Sequence, residues 1–344
     1  MLESLLLKHD ISGMYKVYDI WPSLAKESYN LDHKSTDFPE IDHIVFAGMG
    51  GSGIIGDIFQ AMLSQTDIHI SIVKGYHLPR TVDSKTLVVA SSVSGNTIET
   101  LEVLKSATKI NCNTLAFSSG GLMTKFCKEN NIEHRNIKFL NSPRTSFPVL
   151  LYTIIKMLEP ILPIRRDEIK ESISILERIQ KKISYHNDSN DNPSLNLAKW
   201  IDGIPMIYYP YGIQAAAIRF KNSLQENSKI HAMTEDVIEM CHNGIVSWEK
   251  KSNVTPIMIE GQDDYIKTKE RWGVLREYFT VNNIKYYEIA SEKGNILSKI
   301  TSLIYLLDYA TIYRAVLSGI DPTPVKSIDF IKSKTREEKF MSTT

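Results

Sequence analysis

The sequence predicts an α/β protein built from two doubly wound domains, each a mainly parallel sheet flanked by helices. Three observations carry that expectation. Short apolar runs such as Ile44-Val45-Phe46-Ala47 and Thr86-Leu87-Val88-Val89-Ala90 read as strands buried on both faces. Segments with helical apolar spacing alternate with them. The pattern of strand, glycine and helix then returns in the second half of the 344 residues, a length ample for two domains.

Residues 1–39 read as one or two lead-in helices and a polar loop. The first alternating domain spans 40–160, with strands expected at 42–47, 68–73, 86–91 and 113–117. Residues 161–194 form a connecting helix and loop. The helix is expected over 167–186, where Ile169, Ile173, Leu176, Ile179 and Ile183 share one face. The run Asn187-Asp188-Ser189-Asn190-Asp191-Asn192-Pro193 is the clearest loop in the chain and reads as a joint. The second domain spans 195–335, with strands expected at 205–209, 255–260 and 284–290, and residues 336–344 form a tail. Two halves of like build suggest an internal structural repeat, though no repeat of residues accompanies it.

Composition narrows the function classes. Hydrophobic content of 42% and charged content of 23% are those of a soluble globular protein. The formal net charge is zero and no basic run is interleaved with aromatics, so nucleic acid is not an expected partner. The first ten residues lack a basic n-region, and their apolar run is too short for a signal peptide or a membrane span. Cys112, Cys127 and Cys241 are odd in number and scattered, which points to a reducing cytoplasm. No cysteines and histidines show zinc-site spacing, and neither a metal nor a cofactor is expected.

The densest binding signal is Ser92-Val93-Ser94-Gly95-Asn96-Thr97. It lies where a strand ends and a helix with apolar spacing begins, a place where unpaired N–H groups and the helix dipole favour anions. A helix cap needs one hydroxyl, and this segment brings three. The three together read as a phosphate cradle of Ser92, Ser94 and Thr97. A second loop, Gly48-Met49-Gly50-Gly51-Ser52-Gly53, satisfies the dinucleotide fingerprint G-x-G-x-x-G. That fingerprint expects an acidic residue at the tip of the next strand, where this chain has Lys74-Gly75-Tyr76. A nicotinamide dehydrogenase is therefore the lesser reading. Gly50, Gly51 and Ser52 instead bring backbone and a hydroxyl close to a small ligand.

Candidate catalytic groups lie between Arg219 and Trp248. Glu226 ends a helix among polar residues, and His242 follows sixteen residues later. A carboxylate base and a histidine acid/base are what an aldose–ketose isomerase needs. On spacing alone, a solvated glutamate and a hydrogen-bonded loop histidine are the simpler reading.

From about residue 40 to 335 the chain resembles the archaeal-type bifunctional phosphoglucose/phosphomannose isomerases, which consist of two sugar isomerase (SIS) domains. The resemblance rests on the glycine loop at 48–53, Ser92 to Thr97, Pro143-Arg144 and Glu226-Asn227-Ser228-Lys229. It rests also on His242-Asn243, on Gly319-Ile320-Asp321-Pro322 and on Ile328-Asp329-Phe330-Ile331-Lys332. It implies a metal-independent isomerase that interconverts glucose 6-phosphate and mannose 6-phosphate with fructose 6-phosphate through an enediolate. Ser52, Ser92, Ser94 and Thr97 would bind the 6-phosphate. Glu226 would move the proton between C2 and C1, and Arg144 would stabilise the enediolate. His242 and Lys332 would open the ring, the histidine coming from the partner subunit of a homodimer with shared active sites. Arg144 suits its place on its own chemistry, as a fixed fork of donors that keeps its charge.

Four positions qualify the resemblance. Val93 stands where the family has tyrosine, a packing change. Cys241 and Gly244 flank His242 where an asparagine and an acidic residue are expected. Lys334 lies close enough to Lys332 to leave two registers for the tail lysine. The alternative class is a non-catalytic phosphosugar-binding or regulatory SIS protein, which needs neither Glu226 nor His242.

Overall fold

The computed structural model describes residues 2–32, 38 and 40–335. The expected tail at 336–344 lies outside the described residues. The chain forms two compact units, Met1–Asp19 with Arg165–Thr323, and Ile20–Ile164 with Pro324–Thr344. The divisions fall at 19/20, 164/165 and 323/324, so the polar loop at 187–194 lies inside one unit and joins nothing. The lead-in is split between the two units, for a reason visible in the packing below.

In the unit centred on Ile20–Ile164, five parallel strands are β1 (His43–Ala47), β2 (His69–Val73), β3 (Thr86–Ser91), β4 (Asn113–Ser118) and β5 (Glu133–Asn136), in spatial order β2-β1-β3-β4-β5. β1 and β3 are buried along their whole length. Helices cover both faces of a parallel sheet, so its central strands have no polar side to show. Leu101, Leu104, Met123, Phe126 and Cys127 pack against Ala90 and Ala116. Phe46 stacks on Phe59 of helix Gly50–Leu63 at 4.6 Å. The sequence pattern missed β5, Glu-His-Arg-Asn. It is an edge strand, half-exposed, and carries no apolar run to read.

In the other unit, β6 (Ile204–Tyr209), β7 (Met233–Asp236), β8 (Val254–Glu260) and β9 (Tyr287–Ala290) are again all parallel, in the order β7-β6-β8-β9. The relative order matches the first four strands of the other sheet, so the anticipated structural repeat is present in topology. β7 was missed for the same reason as β5: Met-Thr-Glu-Asp is a polar edge strand.

Helix Ile296–Leu317 organises this unit. It is long and apolar enough to cross a membrane, yet it is buried within the protein almost along its whole length. Tyr305, Tyr309 and Tyr313 recur at four-residue spacing along it, and each hydroxyl finds an acceptor. Tyr305 donates to the Tyr18 carbonyl at 2.6 Å, Tyr309 to Asp19 at 2.7 Å and Tyr313 to the Ile183 carbonyl at 2.6 Å. Two of the three acceptors belong to residues 18 and 19, and burying these tyrosines recruits the first nineteen residues to this unit. The third lies at the end of helix Arg166–Ile183, whose expected apolar face is buried throughout.

Gly95 shows how tightly the loop after β3 is built. Its φ is +72°, and a Cβ there would lie 1.8 Å from the Gly120 carbonyl oxygen. Gly50 also has positive φ, +52°, but a Cβ there meets nothing within 4 Å. Gly95→Ala is therefore expected to lower stability by about 2–4 kcal/mol, and Gly50→Ala by only about 1 kcal/mol, in denaturant unfolding. Equal costs at the two positions would contradict the packing described here.

Candidate active site

In a doubly wound sheet, ligands bind outside the carboxyl ends of the strands, where the strand order reverses. Here that point lies between β1 and β3, whose helices leave in opposite directions across the sheet. The loops that emerge are those singled out in the sequence. Gly48-Met49 leads into helix Gly50–Leu63, and Ser92 to Thr97 lead into helix Ile98–Ile110. The two loops touch: a Cβ on Gly48 would come 2.9 Å from Ser91 Oγ, and one on Gly53 would come 2.7 Å from the Gly48 carbonyl oxygen. Only glycine permits that approach.

The hydroxyls do not act as helix caps. Thr97 is the N-cap of its helix, but its side chain accepts no helix N–H, and Met49 gives none to the other helix. Thr97 Oγ1 is instead 2.8 Å from Ser92 Oγ. Ser92 Oγ accepts the Gly95 N–H at 3.1 Å, and Ser94 Oγ accepts that of Asn96 at 3.3 Å. Two helix N-termini thus open on the crevice without side-chain caps, beside hydroxyls that keep donors or acceptors for a further partner. Such an arrangement can hold an anion without adding a charge of its own. Ser52 and Ser92 are buried, Ser94 and Thr97 half-buried, and Gly50 lies on the surface.

The structure shows what the neighbouring residues do. Asn96 Oδ1 accepts the Leu122 N–H at 2.9 Å and ties the hydroxyl loop to helix Gly121–Glu129. Lys74, which follows β2 where a dinucleotide site needs a carboxylate, pairs with Asp57 at 2.5 Å. Burial raises the Asp57 carboxyl, and the Lys74 ammonium opposes that shift. Val93 is buried, and its carbonyl accepts the Ser119 N–H at 2.9 Å, so the residue is a packing element.

Arg144 sits in a loop locked by its neighbours. Thr145 Oγ1 accepts the Ser142 N–H at 3.1 Å and donates to the Ser142 carbonyl at 2.8 Å, while the Trp21 indole donates to the Thr145 carbonyl at 3.0 Å. The arginine is 6% exposed. Lys332 lies exposed on helix Lys326–Lys334. Two residues apart on a helix means about 200° of rotation, so Lys332 and Lys334 face nearly opposite ways. The Lys334 ammonium lies over the Phe330 ring, 5.8 Å from its centre.

Glu226 and His242 belong to the other unit. Glu226 is half-buried on a single π-turn, Leu224–Ser228, that continues helix Gln214–Ser223. His242 is exposed on the loop after helix Val237–Met240, with its N–H on the Glu239 carbonyl at 2.9 Å. Cys241 is half-buried and its thiol is raised by that burial. Gly244 lies against a carboxylate. A Cβ at 244 would lie 2.5 Å and 2.8 Å from the two carboxylate oxygens of Glu235, at the end of β7. The Glu235 carboxylate thus occupies the space beside Gly244, a neighbour that spacing along the chain does not reveal. Among the described residues, no group of three His, Cys, Asp or Glu side chains could hold a metal ion.

Two parallel sheets of this order make the protein a doubly wound α/β protein, and the matches below place it among SIS-domain proteins. Residues 190–335 match the family described as "Bacterial phospho-glucose isomerase C-terminal SIS domain". The C-terminal domain of glucosamine-fructose-6-phosphate aminotransferase from Francisella tularensis superposes with a TM-score of 0.69 at 15% identity, over 90% of this chain and 98% of that one. The chain belongs to the bifunctional phosphoglucose/phosphomannose isomerase family. It is 33% identical to the member so named from Caldicellulosiruptor bescii over 87% of its own length and 91% of the relative's. It is 28% identical to the one from Aquifex aeolicus over 95% and 97%.

Burial raises the Glu235 carboxyl above its ordinary value of 4.5, and Glu239 and Asp236 add to the shift. Ionising Glu235 thus costs stability, a cost absent below the ordinary value and complete above the raised one. Glu235→Gln is expected to raise the unfolding midpoint at about pH 7 and to lose that gain as the pH falls to about 4. A gain that does not vary with pH, measured by thermal unfolding across that range, would count against this placement.

Proposed function

We propose that the protein is a phosphoglucose/phosphomannose isomerase that converts glucose 6-phosphate and mannose 6-phosphate to fructose 6-phosphate. The observation that carries the reading is a carboxylate, Glu226, held on an ordered π-turn in a chain that also presents an uncapped, hydroxyl-lined anion crevice. A phosphosugar-binding protein without catalysis requires the second feature and not the first. Membership of the isomerase family supports the same choice.

The 6-phosphate docks at the helix N-termini with Ser52, Ser92, Ser94 and Thr97, and with the backbone of Gly50 and Gly51. His242 and Lys332 open the ring: one protonates the ring oxygen while the other takes the hydroxyl proton at C1. Lys332 is chosen over Lys334 because the latter's ammonium already lies over Phe330. Glu226 removes the C2 proton of the open aldose and returns it to C1, while the proton of the C2 hydroxyl passes to the C1 oxygen, so the carbonyl moves from C1 to C2 with no net change in atoms. Arg144, fixed in charge and held in a locked loop, has the chemistry to stabilise the oxyanion that develops in the enediolate. Protein groups cover each step, and no metal or cofactor is called for.

The active unit is a homodimer with shared sites, and the protein works in the cytoplasm. Exposed Val246 beside His242, and exposed Phe330 and Ile331 beside Lys332, are the apolar surfaces such an assembly would cover.

Glu226→Gln is expected to lower turnover by at least about 10²–10⁴-fold while sugar-phosphate affinity stays within a few-fold, because an amide keeps the size and polarity of the side chain but accepts no carbon-bound proton. Near-normal turnover sinks the assignment. Mixing inactive Glu226→Gln with inactive His242→Ala protein tests the shared site. After subunit exchange, confirmed by a label, one site of each mixed dimer carries both defects and the other carries neither, so activity returns. Mixed dimers that remain inactive overturn sharing.

A further inference from the structure

The turn that carries Glu226 differs from the turn an α-helix would make there. Helix Gln214–Ser223 passes directly into the π-turn, and one inserted residue rotates everything beyond it by about 100°. The turn closes at Lys229, a residue with a Cβ held at φ +59°, whose N–H bonds the Leu224 carbonyl. Backbone conformations this sparse persist where the surroundings over-determine them.

The surroundings are two residues three apart on helix Ile296–Leu317, and therefore on one face of it. Asp308, wholly buried, accepts from Arg219 at 2.7 Å and 2.8 Å and from Ser223 Oγ at 2.7 Å. Thr311, also wholly buried, donates its hydroxyl to the Asp308 carbonyl at 2.6 Å. That leaves its oxygen to accept from Asn227 Nδ2 at 2.7 Å, and its carbonyl accepts from Ser228 Oγ at 2.8 Å. Asp308 grips the chain at residue 223 and Thr311 grips it at 227 and 228. The held residues lie on either side of 226. Leu224, Asn227 and Ser228 are buried, and Glu226 between them is half-buried.

We propose that Thr311, with Asp308, is a positioning residue for isomerisation, holding the π-turn in the one rotation that aims the Glu226 carboxylate at the reacting carbons. The inference rests on the assignment of Glu226 as the base. Neither Thr311 nor Asp308 touches substrate, so their contribution falls on the proton-transfer step and leaves phosphate binding alone.

The test is Thr311→Val, which keeps the side-chain volume and removes the oxygen that Asn227 needs, leaving a buried amide unpaired. The expected result is a fall in kcat of about 10–100-fold, the scale of a misplacement near 1 Å, with KM within about two-fold. Exchange of the C2 proton with solvent, followed on bound sugar phosphate, should slow by the same factor. Thr311→Ser, which restores the oxygen, should recover most of kcat. Wild-type kcat in Thr311→Val overturns the proposal, and so does an equal loss in Thr311→Ser. Should Thr311→Val fail to fold, Ser223→Ala decides. It leaves Asp308 paired with Arg219 and should still lower kcat several-fold at constant KM, whereas unchanged kcat is the contrary result. Glu226→Gln runs alongside. An active Glu226→Gln overturns the assignment of the base itself, whereas an inactive one beside an unimpaired Thr311→Val overturns only the clamp.

Discussion

A parallel sheet forces every strand to leave at the same edge, and most of what this protein can do follows from that. Each strand must return through a helix, so helix N-termini accumulate at the carboxyl edge. Where the strand order reverses, two of them open on one crevice. In the five-stranded unit the loops at that point carry glycines that let backbone pass backbone, and hydroxyls that cap neither helix. Helix dipoles and neutral hydroxyls at that place suit an anion. The sheet of the other unit has the same order, but the loop after β8 is Gly261-Gln262-Asp263-Asp264. Asp264 accepts the Gly261 N–H at 3.0 Å and the Trp272 indole N–H at 3.1 Å. One topology therefore yields a crevice suited to a phosphate in one unit and a carboxylate-closed loop in the other.

Helix Ile296–Leu317 poses a different physical problem. A long apolar helix buried on all sides could slide or rotate among neighbours that are equally apolar, because hydrophobic contact has no direction. Its polar residues remove that freedom. The three tyrosine hydroxyls, Asp308 and Thr311 each meet a specific partner, and a buried donor or acceptor left unmet costs more than an apolar mismatch. Register is thus fixed by hydrogen bonds while burial supplies the stability. The same bonds reach the turn that bears Glu226, so the element that orders the unit also orders its candidate base.

The neighbourhood of His242 holds a contact that the order of the chain hides. Gly244 offers no acid, yet the Glu235 carboxylate lies where a side chain at 244 would begin. The carboxylate arrives on β7, nine residues earlier in the chain and on a strand that carries no apolar signature.

The sequence by itself determined the fold class, the seven strands with apolar character and the loops at the strand reversal. Buried central strands must be apolar throughout, and close-approach loops must be glycine, whatever surrounds them. Glu226, His242 and Arg144 stand out as candidates only through the resemblance; spacing offered no geometry for them. Tertiary structure alone decided the rest. The edge strands β5 and β7 are set by pairing with a neighbour, and their exposed side chains leave no pattern to read. The boundary at 19/20 follows from tyrosine hydroxyls seeking acceptors at residues 18 and 19. The π-turn at 224–228 and the carboxylate beside Gly244 depend on contacts with residues 308 and 311, and between 235 and 244. Such contacts are pairwise facts of packing, and no local propensity records them.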